Sequence, residues 1–260
     1  STGIGNATAL AFARTGARVA FLARRRDLLD AAVATVTGEG GDALAVPADV
    51  TDRAAVNAAV ALVAARWGRL DIVVNNAGVL IPAAVADIDP ADLEHMMRVN
   101  LFGALHVTQA ALPRMRAQGG GTLVTVASLA GRRGVPDLGG YCATKFALIG
   151  LTEALRTEVR GEPIHVSLVL PGVVETPMVE HLSHDHEFMA FWPRELNMPV
   201  SWVVWGVFAA ARFHLAEVSV PPGAATLEKL AALAPGIADA VVDWARTASG
   251  WVAHRLHDRA

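Results

Sequence analysis

Gly121-Thr-Leu-Val-Thr-Val-Ala127 is an uncharged, β-branched run, and Ile164-His-Val-Ser-Leu-Val-Leu170 is a second one beyond an amphipathic segment at about residues 140–160. Strands covered on both faces have such near-continuous apolar runs, whereas half-exposed strands alternate. A strand, a helix-length crossover and another strand place the two runs side by side and parallel. The same alternation extends outward from this unit. Ala17–Ala23, Ala43–Val46 and Leu70–Asn75 are further predicted strands, with helical patterns near 5–15, 26–38, 52–67 and 90–117. The whole is read as one α/β domain with a doubly wound parallel sheet, over about residues 1–220. Beyond Pro171 the character changes to a His-rich aromatic loop, a helix near 200–213, a short strand at Glu217–Val220 and a helical extension over 221–260.

Composition narrows the function classes. With 53% hydrophobic and 18% charged residues over 260 positions, the chain is globular and long enough for a large core. A net charge of −3 and the lack of a long Lys/Arg run give no footprint for nucleic acid. One cysteine excludes an internal disulfide framework and fits a reducing, cytoplasmic setting. The longest uncharged stretch, Leu196 to Ala211, is shorter than the roughly 20 residues of a membrane span, so no spanning helix is predicted.

Tyr141 is the only tyrosine, and Lys145 is one of two lysines beside twenty arginines. On a helix their i, i+4 spacing places both side chains on one face. An ammonium beside a phenol favours its ionised form, so this pair is expected to exchange a proton near neutral pH. Ser1-Thr2-Gly3-Ile4-Gly5 opens directly into a helix. The free N–H groups of such a helix start suit a pyrophosphate, with glycines allowing close approach, although an ordinary N-cap by Ser1 or Thr2 accounts for the same residues. In the predicted sheet a strand should precede this turn, and the sequence starts inside the motif. Expression from Ser1 alone is therefore expected to give unstable or insoluble protein.

These motifs together resemble the short-chain dehydrogenase/reductase family in its compact subclass of about 250 residues. The resemblance covers nearly the whole chain and rests on several segments in order. Gly3 and Gly5 match the last glycines of the family's turn, and Asp49-Val50 the pair after the third strand. Asn75-Asn76-Ala77-Gly78, Asn100, Ser128, Tyr141 with Lys145, and Pro171-Gly172-Val173-Val174-Glu175-Thr176 match later motifs. The resemblance implies a Rossmann-type fold and a hydride-transfer enzyme acting on a small-molecule carbonyl/alcohol pair. It implies a catalytic set of Ser128, Tyr141, Lys145 and Asn100. Ser128 would bond the substrate oxygen and Tyr141 would exchange its proton. Lys145 would lower the phenol pKa and hold the nicotinamide ribose, and Asn100 would hold a water linked to the lysine. The implied cofactor contacts are Ser1, Thr2, Gly3, Ile4, Gly5, Asp49, Val50, Asn76, Ala77, Gly78, Tyr141, Lys145, Pro171, Gly172, Val174 and Thr176.

Cofactor choice turns on the end of the second strand. An acid about 20 residues after the glycine turn selects NAD, but this neighbourhood reads Leu22-Ala23-Arg24-Arg25-Arg26. A guanidinium suits a 2′-phosphate, so NADP(H) is favoured over NAD(H), with Arg24 as first contact and Arg25 as second. Residues 177–200 stand where the family carries its substrate lid. Met178, Phe188, Phe191 and Trp192 are candidate walls for a hydrophobic substrate. His181, His184 and His186 are read as a solvated or pH-responsive loop, and no metal is expected. In the tail, Ile237, Val241, Trp244, Ala248 and Trp251 form an apolar stripe for packing on the body or a partner, with peripheral membrane contact as the alternative. A homodimer or homotetramer is implied by the resemblance. The alternative function is a non-catalytic dinucleotide-binding regulatory or scaffold protein of the same fold.

Overall fold

The computed structural model describes residues 2–180, 197–236 and 240. The elements run α1 (Gly3–Arg14), β1 (Val19–Ala23), α2 (Arg26–Gly38), β2 (Ala43–Pro47), α3 (Arg53–Trp67), β3 (Ile72–Asn75) and α4 (Pro90–Met97). There follow a π-helical turn (Arg98–Phe102), α5 (Gly103–Ala117), β4 (Gly121–Val126), α6 (Gly139–Glu158) and β5 (Ile164–Pro171). Last come α7 (Pro177–Glu180), α8 (Val200–Phe213), β6 (Glu217–Val220) and α9 (Ala224–Ala231). Each expected strand is present, with ends moved by up to two residues.

All strand pairings are parallel, and helices cover both faces, as expected. On one face α1, α2 and α8 bury Leu29, Val36, Val203 and Val207, and Phe12 of α1 stacks on Phe208 of α8 at 4.0 Å between ring centroids. On the other face α3, α5 and α6 bury Val63, Ala111, Met115 and Leu148 against the strands. Local chemistry sets the element ends. Asp52 caps α3 by accepting from the amides of Ala54 and Ala55 at 2.8 and 3.1 Å, and Gly68 closes it in the left-handed region.

The strands form two parallel groups, a pair, β1–β2, and a quartet in the order β3-β4-β5-β6. Residues of both β1 and β3 line a cavity of about 790 Å³. The two facing strands therefore each have one paired edge. The helix expected over 90–117 is interrupted, because the π turn at Arg98–Phe102 separates α4 from α5. Of the expected 221–260 extension, α9 is described, and the stripe from Ile237 to Trp251 lies outside the described residues.

Candidate active site

Ser128 stands just past the C-terminal end of β4, the side on which open α/β sheets bind ligands. Its Oγ accepts from the Ala130 amide at 3.1 Å and donates to the Pro171 carbonyl at 3.4 Å, so β5 and a short 3₁₀ turn, Leu129–Gly131, fix it. Tyr141 and Lys145 lie one turn apart on α6, with Lys145 Nζ 5.5 Å from the centre of the phenol ring. The sequence expectation that this pair shares a helix face is met.

The electrostatics differ from that expectation. Burial pushes the Tyr141 phenol up to about 12, and the hydrogen bond with Ser128 is what pulls it back. The ammonium lies over the ring face, 5.5 Å from its centre, so enclosure dominates over attraction. Lys145, 3% exposed, is itself brought down to about 8 by desolvation. Its Nζ donates to the Val126 carbonyl at 3.4 Å.

Asn100 is fully buried within the π turn, a helix irregularity that often accompanies functional sites. Its Nδ2 donates to the Val79 carbonyl and to Thr144 Oγ1, both at 2.9 Å, and its Oδ1 accepts from the Val79 amide at 2.7 Å. Thr144 in turn donates to the Tyr141 carbonyl at 2.8 Å. Asn100 thus ties the loop after β3 to the helix that carries the tyrosine. Thr144 was not singled out in the sequence. Its signal was its place inside Tyr141-Cys-Ala-Thr-Lys145, where a hydroxyl can reach back one turn.

A second group of expected residues meets at the start of α1. Gly3 has φ +58°, and a Cβ added there would sit 3.5 Å from Thr176, so the Pro171–Thr176 segment lies against the glycine turn. A Cβ on Gly5 would come within 2.6 Å of Asn76 Nδ2, which explains a glycine there. Thr2 occupies the N-cap without a side-chain cap bond, leaving first-turn amides for a ligand. Thr2, Gly5, Arg24, Arg25, Asp49, Val50, Asn76, Ala77 and Gly78 line the cavity between β1 and β3. The cavity penetrates between the strands, and Ser128, Tyr141 and Lys145 are not among its lining residues.

These residues fit a dinucleotide. Arg26 pairs with Asp30 at 3.3 Å, whereas the exposed Arg24 and Arg25 form no ion pair among the described residues. Asp49 is held below the usual carboxylate range, first by the Thr51 amide, with burial opposing and the Thr51 hydroxyl, Arg24 and His95 assisting. Two expected contacts offer no side chain. Ile4 packs with Val74 against the core of α8, and Val174 is 3% exposed in that core, so both could reach a ligand only through their backbone. Gly172 is anchored by donating to the Val220 carbonyl at 2.8 Å.

Met178 is 38% exposed on α7. Ser1, Phe188, Phe191, Trp192 and the three histidines of the loop lie outside the described residues. Among the described residues no three His, Cys, Asp or Glu side chains gather as metal ligands, and no helix is long and apolar enough to cross a membrane.

The chain is 37% identical over 182 residues to the 3-oxoacyl-[acyl-carrier-protein] reductase FabG of Thermotoga maritima, covering 70% of this chain and 74% of that one. It is 41% identical over 175 residues to a sorbitol dehydrogenase of Cereibacter sphaeroides, covering 66% and 67%. An uncharacterized oxidoreductase of Bacillus subtilis, YxnA, is 32% identical over 249 residues, covering 94% of this chain and 69% of that protein. The sequence profile described as short chain dehydrogenase matches residues 1–187, and with the Ser128, Tyr141 and Lys145 cluster in place the chain belongs to the short-chain dehydrogenase/reductase family of NAD(P)-dependent oxidoreductases.

Proposed function

We propose that this protein is an NADP(H)-dependent oxidoreductase that interconverts a carbonyl and a secondary alcohol on a hydrophobic small molecule, with Tyr141 as general acid and base. The observation that carries this reading is the convergence of Ser128, Tyr141 and Lys145 beyond β4, braced by Asn100 through Thr144. A binding protein without turnover has no need of that set.

When bound, the nicotinamide supplies or accepts the hydride. The protein's own part begins with Ser128, whose weak bond to Pro171 can be exchanged for one to the substrate oxygen. Tyr141, held neutral by burial, gives its proton to that oxygen as negative charge develops during reduction. In the reverse direction the phenolate is needed, so alcohol oxidation is expected to rise with pH while carbonyl reduction stays level through neutrality. Lys145 supplies positive charge beside the ring until it deprotonates near 8. Both Nδ2 protons and one lone pair of Oδ1 of Asn100 are taken up by Val79 and Thr144.

Thr2, Gly3 and Gly5 would receive the pyrophosphate, Asp49 the adenine, and Asn76 to Gly78 the adenosine ribose. Arg24, first, and Arg25 would pair with a 2′-phosphate, which favours NADP(H) over NAD(H). Met178 and the residues after it would face the substrate. The exposed Phe102 of the π turn and Phe146 of α6 suit a homodimer or homotetramer built on the helical segments 90–117 and 140–160, and a cytoplasmic setting agrees with the one buried cysteine, Cys142. The 221–260 segment would pack on the domain or on a partner.

Hydrophobic ketones, aldehydes and alcohols, followed by NADPH and NADH absorbance, test the reading. Turnover should appear and should fall about 10²- to 10⁴-fold in Tyr141→Phe. No turnover above the Tyr141→Phe background would favour the binding-protein alternative. Equal affinity for both cofactors, unchanged by Arg24→Ala, would overturn the NADP(H) preference.

A further inference from the structure

The 3₁₀ turn that carries Ser128 ends at Arg132, whose side chain is 16% exposed and stands between two carboxylates. Its Nη2 donates to Glu153 Oε1 of α6 at 2.5 Å and to Glu217 Oε2 of β6 at 2.6 Å. The other oxygen of Glu217 accepts from Lys229 of α9 at 2.7 Å. Two cations thus balance two carboxylates, and the cluster joins four elements. Next to Arg132, Gly131 allows the turn to touch α6, since a Cβ there would lie 2.8 Å from the Lys145 carbonyl. The turn bearing Ser128 is therefore held to the helix bearing Tyr141 and Lys145 at two successive residues.

We propose that Arg132 is a positioning residue for the reaction: by clamping the Ser128 turn to Glu153 and Glu217, it holds the Ser128 hydroxyl against the Tyr141 phenol. It touches no reacting atom. One guanidinium nitrogen bridges both carboxylates while Nε is buried with no partner among the described residues, so the side chain is placed by the two acids rather than by its own full satisfaction. A lysine in its place would keep the charge but lose the planar fork, and should restore the geometry only in part. The proposal rests on the oxidoreductase reading for its kinetic consequences, and its structural consequence can be read without turnover.

Because Tyr141 is the only tyrosine, protein grown with ring-labelled [¹³Cζ]tyrosine gives one resonance that reports the phenol's hydrogen bond. Ser128→Ala provides the reference for a lost bond. In Arg132→Gln the resonance should move toward that reference, and in Arg132→Lys it should lie between. In the same variants kcat should fall about 10- to 100-fold with the KM for cofactor little changed. The alkaline limb of the oxidation profile should move to higher pH, because the bond that lowers the phenol is loosened. If Arg132→Gln fails to fold, Glu153→Gln keeps an acceptor for Arg132 and should give a smaller displacement in the same direction. A resonance at the wild-type position in folded Arg132→Gln or Glu153→Gln, with kcat per folded molecule near wild type, overturns the proposal. A wild type that turns over nothing while its resonance still answers to Arg132 sinks the reaction and keeps the clamp.

Discussion

The quartet β3–β6 and the pair β1–β2 are built from similar short, apolar, parallel strands, yet they end in different environments. In the quartet, β4 and β5 have neighbours on both edges, and Val124, Leu168, Val169 and Leu170 are wholly buried. In the pair, β1 has one neighbour, and the cavity it shares with β3 is lined by Val19 to Arg25. The residues proposed for proton transfer lie beyond β4 and on α6, whereas several of the proposed nucleotide contacts, Thr2, Arg24, Asp49 and Asn76 among them, line the cavity beside β1 and β3. The proposed proton-transfer residues are thus held by packing on β4, β5 and α6. Unequal responses to the same perturbation would establish that division.

The largest expected effect is on core truncation. Leu168→Ala, in the centre of the quartet, should cost about 3–5 kcal/mol, because close-packed neighbours cannot collapse into the space. Phe21→Ala on β1 removes a larger ring but borders the existing cavity, so it should cost only about 2 kcal/mol. Urea unfolding of both variants measures this, and equal losses would mean that β1 is as well packed as the quartet.

Ligand linkage comes next. NADP⁺ at about 100 times its Kd should add about 2.7 kcal/mol to stability. Hydrogen exchange should place the gain in protection on β1, β3 and the first turn of α1, with little change in β5. Uniform protection across both sheets would contradict a nucleotide site at these elements. Gly5→Ala sharpens the same point, since its methyl must displace Asn76 where the two halves meet. Its folded stability should change by about 1 kcal/mol or less, Asn76 being the end of a movable side chain, while NADP⁺ affinity falls about 10-fold by calorimetry.

The quartet was also the better read in the sequence. Gly121–Ala127 and Ile164–Leu170 were visible as strands because burial on both faces leaves an unbroken apolar signature, and Ser128, Tyr141 and Lys145 carry residue types the chain uses sparingly or in a fixed order. The π turn at Asn100 was hidden, since it is set by hydrogen bonds to Val79 and Thr144, which come together only in the tertiary structure. The direction of the Tyr141 shift differs from the sequence expectation for a related reason. Helical spacing places an ammonium near a phenol, but only the packed site shows that it meets the ring face and that enclosure outweighs it. Arg132 left no periodic trace at all, because Glu153 and Glu217 reach it from 21 and 85 residues away.

The smallest effect belongs to an exposed corner of the quartet. His165, at the start of β5, stacks on His214, the left-handed residue that ends α8, with ring centroids 3.5 Å apart and planes within 8°. Desolvation first, and then the neighbouring His214, lower the His165 pKa. A lowered folded pKa means that the folded state prefers the neutral ring. The stabilisation is therefore present above the unfolded value of about 6.5 and is lost as pH falls through the lower folded value. Wild type should lose slightly more stability than His165→Gln between pH 7 and pH 5, read as the difference in urea midpoints. Solvent at both rings keeps this difference small. Identical pH dependence in the two proteins would mean that the stacked pair does not couple protonation to the quartet.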